Sequence, residues 1–327
     1  MAERPLVVAL DVLPELSQGI IRDTFAGYDV AFAPSTDRAE VLGMVTDATV
    51  FLSSWGRIDR ELMQAAPSLR VIQKLGVGVD KFDLPAAEEL GVTVLKAAGI
   101  NAEAVAELAL MLTFAVGRNF MKAVKLSREG KFEKEVLRAE STQVFGRTVG
   151  LFGLGHIGRA VAKRFQAFGA NVVYYDLYRT SPENEKTLDV RYVEFDELLA
   201  VSDIISLHAP STPETNGTFN AAAFSAMKPS AILINTARGE LVDDDALARA
   251  IFAGELRGAG LDVIANEPLS PASPLFDLDQ VVITPHIGGA VGDNFPRVVT
   301  RAFENVEAAL AGTQLRAEDV VVAPPTR

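Results

Sequence analysis

The chain has 327 residues and no cysteine. Disulfides, thiolate metal sites and cysteine nucleophiles are thereby excluded, no metal site is expected, and nothing points to an oxidising compartment. Histidine is scarce, with three in all, and there is a single tryptophan. Positive charge is in deficit: 31 Lys and Arg stand against 43 Asp and Glu, a formal net charge of −12 at pH 7. With no block of basic residues, the footprint of a nucleic-acid binder is missing. A long N-terminal apolar run is missing too. Met1-Ala2-Glu3-Arg4-Pro5 leads only into Leu6 to Leu10 before Asp11, too short for a signal peptide or a membrane span. The expectation is a soluble cytoplasmic protein without nucleic-acid or membrane partners.

What is present in quantity is apolar. Nearly half the residues (49%) are hydrophobic, and a single core usually stops growing near about 250–300 residues, so two domains are expected. Short apolar runs recur: Leu6–Leu10, Val30–Ala33, Ala48–Leu52, Leu69–Leu75 and Gly91–Leu95 in the first hundred residues, with a helix at Glu15–Phe25. Later come Asn171–Tyr175, Asp203–His208, Ala231–Asn235, Gly258–Val263 and Val281–His286. Strands alternating with helices predict parallel sheets covered on both faces, an α/β fold. Ala102 to Gly117 predicts a long helix carrying the chain from one domain into the next. A second helical pattern, Phe295 to Leu310, predicts a return that docks the tail Val320–Ala323 on the first domain. The expected division is residues 1–100 with 296–327, and residues 101–295.

The stretch that organises the rest is Val149-Gly150-Leu151-Phe152-Gly153-Leu154-Gly155-His156-Ile157-Gly158. An apolar run that ends in G-x-G-x-x-G and passes into Arg159–Phe165 reads as strand, tight turn and helix. Gly153 allows the turn, Gly155 lets backbone approach a pyrophosphate, and Gly158 lets helix and strand pack closely. The N–H groups opening such a helix favour an anion. Eighteen residues beyond Gly158, Asp176 ends the next apolar run, where a carboxylate accepts hydrogen bonds from an adenosine ribose. An acid there repels a 2′-phosphate, so NAD is expected over NADP, with Arg179 nearby as the residue that argues the other way. In open α/β sheets ligands bind outside the carboxyl ends of the strands. Arg238, Asp262 and His286 are expected at such ends, and so is His208-Ala209-Pro210, near the nicotinamide ribose. Gly76-Val77-Gly78-Val79-Asp80, directly after a strand, is a loop whose N–H groups can hold a carboxylate.

Taken together, Thr148 to Gly158, Asn235-Thr236-Ala237-Arg238-Gly239, Leu261-Asp262-Val263 with Glu267-Pro268-Leu269, and Thr284-Pro285-His286-Ile287-Gly288 resemble the D-isomer-specific 2-hydroxyacid dehydrogenases. Gly76 to Asp80 and Asn101 to Leu108 look like segments of that family as well. The resemblance implies two Rossmann-like doubly wound parallel-sheet domains: a flavodoxin-like substrate domain and a dinucleotide-binding domain. It implies that Arg238, Glu267 and His286 act together on a small 2-hydroxy or 2-keto acid. Arg238 would clamp the substrate carboxylate bidentately. His286 would take the hydroxyl proton on oxidation and return it on reduction. Glu267 would hold the imidazole in one tautomer and favour its protonated form. Val77 and Gly78 would hold the other side of the carboxylate, and Asp262 would face the nicotinamide. The NAD-binding set would comprise Gly153, Gly155, His156, Ile157, Gly158, Asp176, His208, Ala209, Pro210, Thr236, Asp262, His286 and Gly288. Family members are usually homodimers joined through their cofactor domains.

Departures from the family's patterns narrow the substrate. Phosphoglycerate dehydrogenases carry an arginine where Leu52 continues into Ser53-Ser54-Trp55, and its loss counts against 3-phosphoglycerate, although Lys74 could supply a positive charge and Arg57 is near. The short tail predicts no regulatory extension. Formate dehydrogenases have glutamine in place of Glu267, and phosphite dehydrogenases have lysine near Val77, so neither activity is expected. Trp55 could line the substrate mouth or pack in a core or hinge. Two alternatives stay open: 3-phosphoglycerate dehydrogenase activity, and a non-enzymatic NAD(H)-sensing protein like the transcriptional corepressors that resemble this family, against which the short tails count.

Overall fold

A computed structural model of the chain describes residues 4–323. Residues 1–3 and 324–327, which the expected substrate domain includes, lie outside the described residues. In chain order the strands are β1 (Leu6–Ala9), β2 (Asp29–Phe32), β3 (Ala48–Ser53), β4 (Val71–Lys74), β5 (Thr93–Leu95), β6 (Thr148–Phe152), β7 (Asn171–Tyr175), β8 (Arg191–Tyr192), β9 (Ile204–Leu207), β10 (Ile232–Asn235), β11 (Gly258–Leu261), β12 (Val281–Ile283) and β13 (Val320–Val322). They form two sheets. The chain divides into two compact units, one made of the described residues of Met1–Asn101 and Val291–Arg327, the other of Ala102–Ala290.

In the first unit the strand order is β13-β5-β4-β3-β1-β2, parallel except for β13, which runs antiparallel to β5. Successive side chains on a strand point to opposite faces. Val8, Phe51, Ile72 and Val94 accordingly fill the core on one face, and Val7, Val50, Val71 and Leu95 the core on the other. Each such side chain contributes about 1.5–3 kcal/mol by leaving water. The second face is closed by the helices Glu15–Thr24 and Phe295–Ala311, through Ile21, Phe25, Val299 and Val306.

In the second unit the order is β12-β11-β10-β9-β6-β7-β8, parallel throughout. After β6 the chain moves outward to β7 and β8, then returns to add β9 on the opposite side of β6. That reversal is the topological switch point, beside which ligands bind in sheets of this kind. The helix Ala102–Gly117 packs on this sheet with Ala106, Ala109 and Leu112 fully buried and few polar side chains, as a helix enclosed on most sides requires.

Registration across this sheet places Tyr175, Phe152, Leu207, Asn235, Leu261 and Ile283 in one row. The residues that follow them are Asp176, Gly153, His208, Thr236, Asp262 and Thr284, a single carboxyl edge.

Several strands are shorter than the sequence suggests: Leu69–Leu75 contracts to Val71–Lys74, Gly91–Leu95 to Thr93–Leu95 and Gly258–Val263 to Gly258–Leu261. Asp203–His208 contracts to Ile204–Leu207, and Val281–His286 stops at Ile283. Pro285 has no N–H to give a ladder, and His286 has left the extended region with φ 52. β8 and the helices Phe120–Arg128 and Lys134–Glu140 were not expected; neither helix has a buried residue.

Candidate active site

The dinucleotide turn is built by close backbone packing. Gly153 has φ 100, and a Cβ there would sit 2.8 Å from the Ala209 nitrogen; a Cβ on Gly158 would sit 2.3 Å from the Gly153 carbonyl oxygen. Both positions exclude any larger residue for reasons internal to the fold. Gly155 differs: a Cβ there meets nothing within 4 Å. It opens the helix His156–Ala167, whose first turn has no side-chain cap. Uncapped N–H groups below open ground form a cradle for a pyrophosphate, and an anion is favoured at that end of the helix. His156 is exposed at the helix start, and Ile157 is half-buried against the core.

Asp176 takes the expected place after β7. One carboxylate oxygen accepts from the Leu154 N–H at 2.7 Å and the other from the Tyr178 N–H at 2.9 Å. The first bond ties the acid to the glycine turn, and each oxygen retains acceptor capacity for a ribose hydroxyl. Further along the edge the Thr236 hydroxyl is buried without a hydrogen-bond partner. His208 follows β9, and its backbone lies against the Gly153 turn. Part of the residue reaches solvent, but both ring nitrogens are buried and unpartnered, and burial pushes the imidazole down to about 3. It is neutral at any working pH. Ala209 is half-buried beside it and Pro210 exposed. Open ground at Gly155, an uncapped helix and buried orphan polar atoms along one edge fit a dinucleotide.

Arg238 stands three residues beyond β10. The Asn235 side chain fixes the turn before it, accepting from the Ala237 N–H at 3.0 Å and donating to the Arg238 carbonyl at 2.9 Å. The guanidinium is half-buried and donates to the Ala237 carbonyl at 2.6 Å. At Gly239 a Cβ would lie 1.9 Å from the carbonyl carbon of Ile264, so the turn after Arg238 packs backbone to backbone on the segment leading to Glu267.

Glu267 and His286 are brought together across nineteen residues of sequence: Nδ1 of His286 lies 3.0 Å from each carboxylate oxygen. The carboxylate accepts from Nδ1–H, so the other ring nitrogen, Nε2, is the one left for proton exchange. The His286 side chain is half exposed, open to a ligand. Its left-handed backbone costs a non-glycine residue about 1–2 kcal/mol and is imposed by Asp262. That carboxylate accepts from the Thr284 hydroxyl at 2.6 Å, the Ile287 N–H at 2.9 Å and the Gly288 N–H at 2.8 Å, and the Asp262 carbonyl accepts from the His286 N–H at 2.9 Å. Asp262 is 2% exposed. Expected to face the nicotinamide, it has both oxygens engaged by the loop that carries His286. A Cβ on Gly288 would come within 3.0 Å of it.

On the first unit Val77 and Gly78 are half-buried in the loop after β4. Lys74 is buried, with its ammonium donating to the Ser54 carbonyl and lying 5.7 Å from the centre of the Phe82 ring. Trp55 is 54% exposed, which removes the core reading. Sequence reasoning missed Asp11, whose buried carboxylate accepts from the N–H groups of Ser54, Trp55 and Gly56 and fixes the loop that presents the tryptophan. The available signal was an acid closing an apolar strand at the sheet's carboxyl edge.

Residues 110–288 match the family model for the D-isomer specific 2-hydroxyacid dehydrogenase NAD binding domain. The chain is 40% identical over 309 residues to a D-3-phosphoglycerate dehydrogenase of Mycobacterium leprae (strain TN), covering 94% of this chain but 57% of that protein. It therefore spans little more than half the length of that relative. It is 37% identical over 316 residues to a glyoxylate reductase of Thermofilum pendens, covering 94% of this chain and 92% of the relative. Among solved structures, the TT0316 protein from Thermus thermophilus superposes with a TM-score of 0.86 at 39% identity, over 97% of this chain and 100% of the other. With the glycine turn, the Arg238 turn and the Glu267–His286 pair on one sheet edge, the chain belongs to the D-isomer-specific 2-hydroxyacid dehydrogenase family and carries its NAD binding domain.

Proposed function

We propose that the protein is an NAD-dependent oxidoreductase interconverting a 2-keto acid and a D-2-hydroxy acid. The observation that carries this reading is the Glu267–His286 pair, held on the same sheet edge as Arg238 and the dinucleotide turn. Arg238 binds the substrate carboxylate with its planar fork, which orients the 2-carbon. On oxidation His286 Nε2 accepts the hydroxyl proton as the carbonyl forms; on reduction it returns a proton to the carbonyl oxygen. Glu267 keeps Nδ1 protonated and stabilises the imidazolium formed when Nε2 takes a proton. NAD, when bound, supplies the hydride acceptor. Val77 and Gly78 are the substrate-binding residues of the first unit in this reading.

The test is NADH oxidation, followed by loss of its near-ultraviolet absorbance, against glyoxylate, hydroxypyruvate, pyruvate, phenylpyruvate, 2-ketoisocaproate, oxaloacetate and 3-phosphohydroxypyruvate. A clear preference supports the reading and identifies the substrate class. Preference for the phosphorylated acid favours a phosphoglycerate dehydrogenase. NADH binding with no turnover across the panel overturns the enzymatic reading in favour of a sensor.

We further propose a homodimer. Met111, Phe120, Met121, Phe132 and Phe168 are all at least 49% exposed on the second unit, an apolar surface that a second copy would cover. Sedimentation equilibrium tests this, and a monomer at micromolar concentration overturns it. Among the described residues no single helix is long and apolar enough to cross a membrane. A cytoplasmic location, with small acids and no nucleic acid or membrane as partners, fits the proposed reaction.

A further inference from the structure

Arg179 lies three residues beyond Asp176, in the loop between β7 and the helix Pro182–Leu188, and it is the only cation in Leu177–Ser181. In a dinucleotide fold a cation here is the natural partner of an adenosine 2′-phosphate. In this chain the guanidinium is already engaged. Its Nε donates to Glu185 Oε1 at 2.7 Å and one terminal nitrogen donates to Oε2 at 3.0 Å, a two-point pairing. Its central carbon, Cζ, lies over the Tyr192 ring, 4.7 Å from the centroid. Glu185 is itself braced by the Tyr174 hydroxyl, which donates to Oε1 at 2.8 Å and accepts from the Thr180 N–H at 3.2 Å. The hydrogen bonds from Arg179 hold the Glu185 carboxyl below the usual carboxylate range, and burial with the bond to Glu185 pushes the Tyr174 phenol up to about 12.

Exposed ion pairs generally contribute little. This one differs in geometry: it is bidentate, its guanidinium carbon lies over an aromatic ring, and the Glu185 carboxylate, whose side chain is 13% exposed, is anchored by a second hydrogen bond from Tyr174. A carboxylate and a phosphate compete for the same fork of N–H donors.

Resting on the NAD-dependent reading above, we propose that Glu185 is a positioning residue for cofactor choice: it occupies the Arg179 fork and so denies an adenosine 2′-phosphate its cation. Asp176 repels that phosphate, and Glu185 withholds the group that would attract it. Removing the repulsion alone therefore leaves NADPH binding weak.

The experiment measures NADH and NADPH dissociation constants by calorimetry on the full chain without substrate, for the wild type, Asp176→Ser, Asp176→Ser/Glu185→Gln, and the latter with Arg179→Met. Glu185→Gln in the Asp176→Ser background should tighten NADPH about tenfold further and leave NADH within about twofold, and Arg179→Met should abolish that gain. Glu185→Ala, which frees the same guanidinium, is the second variant should the glutamine protein melt early. Equal NADPH affinity with and without Glu185, or a gain that survives loss of Arg179, overturns the proposal. Wild-type protein that binds neither dinucleotide overturns the NAD reading itself and this inference with it.

Discussion

His286 Nδ1 is equidistant from the two oxygens of Glu267, 3.0 Å to each, so the ring is held by a charge rather than by one directed bond. Replacing Glu267 by glutamine keeps the volume and removes the charge that stabilises an imidazolium. Glu267→Gln should lower kcat about 10²-fold and His286→Asn about 10³-fold or more, with NADH affinity nearly unchanged in both. Steady-state kinetics alongside cofactor titration checks this. Wild-type turnover in His286→Asn removes the residue from the chemistry.

Asp262 acts through the loop it holds. Asp262→Asn turns one acceptor into a donor facing an N–H or hydroxyl that now lacks a partner, at a buried site. The loss should be about 1–3 kcal/mol in urea unfolding, together with a fall in kcat as His286 relaxes from its left-handed backbone. Unaltered stability would mean the loop is held by something other than this carboxylate.

Two glycines of the turn, Gly158 and Gly155, should separate by experiment. Gly158→Ala forces a methyl against the Gly153 carbonyl and should cost about 1–3 kcal/mol of stability. Gly155→Ala has open space and ordinary φ. It should melt like the wild type yet bind NADH at least about tenfold more weakly, since its methyl fills the cradle. Equal NADH affinity in Gly155→Ala would place the dinucleotide elsewhere.

How much of this could be read beforehand depends on sequence distance. The glycine turn and Asp176 were legible because one strand, one turn and one helix are contiguous, and the acid follows at the length of a single crossover. Arg238 and His286 were legible as strand-end residues within a resemblance. The loop contacts of Asp262 were not, because its three side-chain bonds reach residues 22 to 26 positions away. Asp11 was hidden for the same reason, reaching across 43 to 45 positions. The helices Phe120–Arg128 and Lys134–Glu140 escaped notice because neither buries a residue in the core that the strand pattern calls for; the apolar side chains of the first, Phe120 and Met121, stay exposed.

His208 gives a pH signature. Its folded value of about 3 lies below the ordinary 6.5. Between those values the unfolded chain binds the proton and the folded one does not, so stability is complete above about pH 6.5 and declines as pH falls below it, by up to about 1.4 kcal/mol per unit. His208→Asn should lose that share of the slope. Thermal melts from pH 7 to pH 5 compare the two, and parallel curves would show that the ring titrates normally.

The contact of Gly239 with the Ile264 backbone leaves no room for a methyl group between the turn that presents Arg238 and the segment that leads to Glu267. If Arg238 anchors the acid and the Glu267–His286 pair moves its proton, as proposed above, the span between them is gauged in part by main chain, and side chains elsewhere can change without altering that gauge. Under the proposed function, substrate preference among keto acids would then be free to change while the spacing of the reacting groups stays fixed.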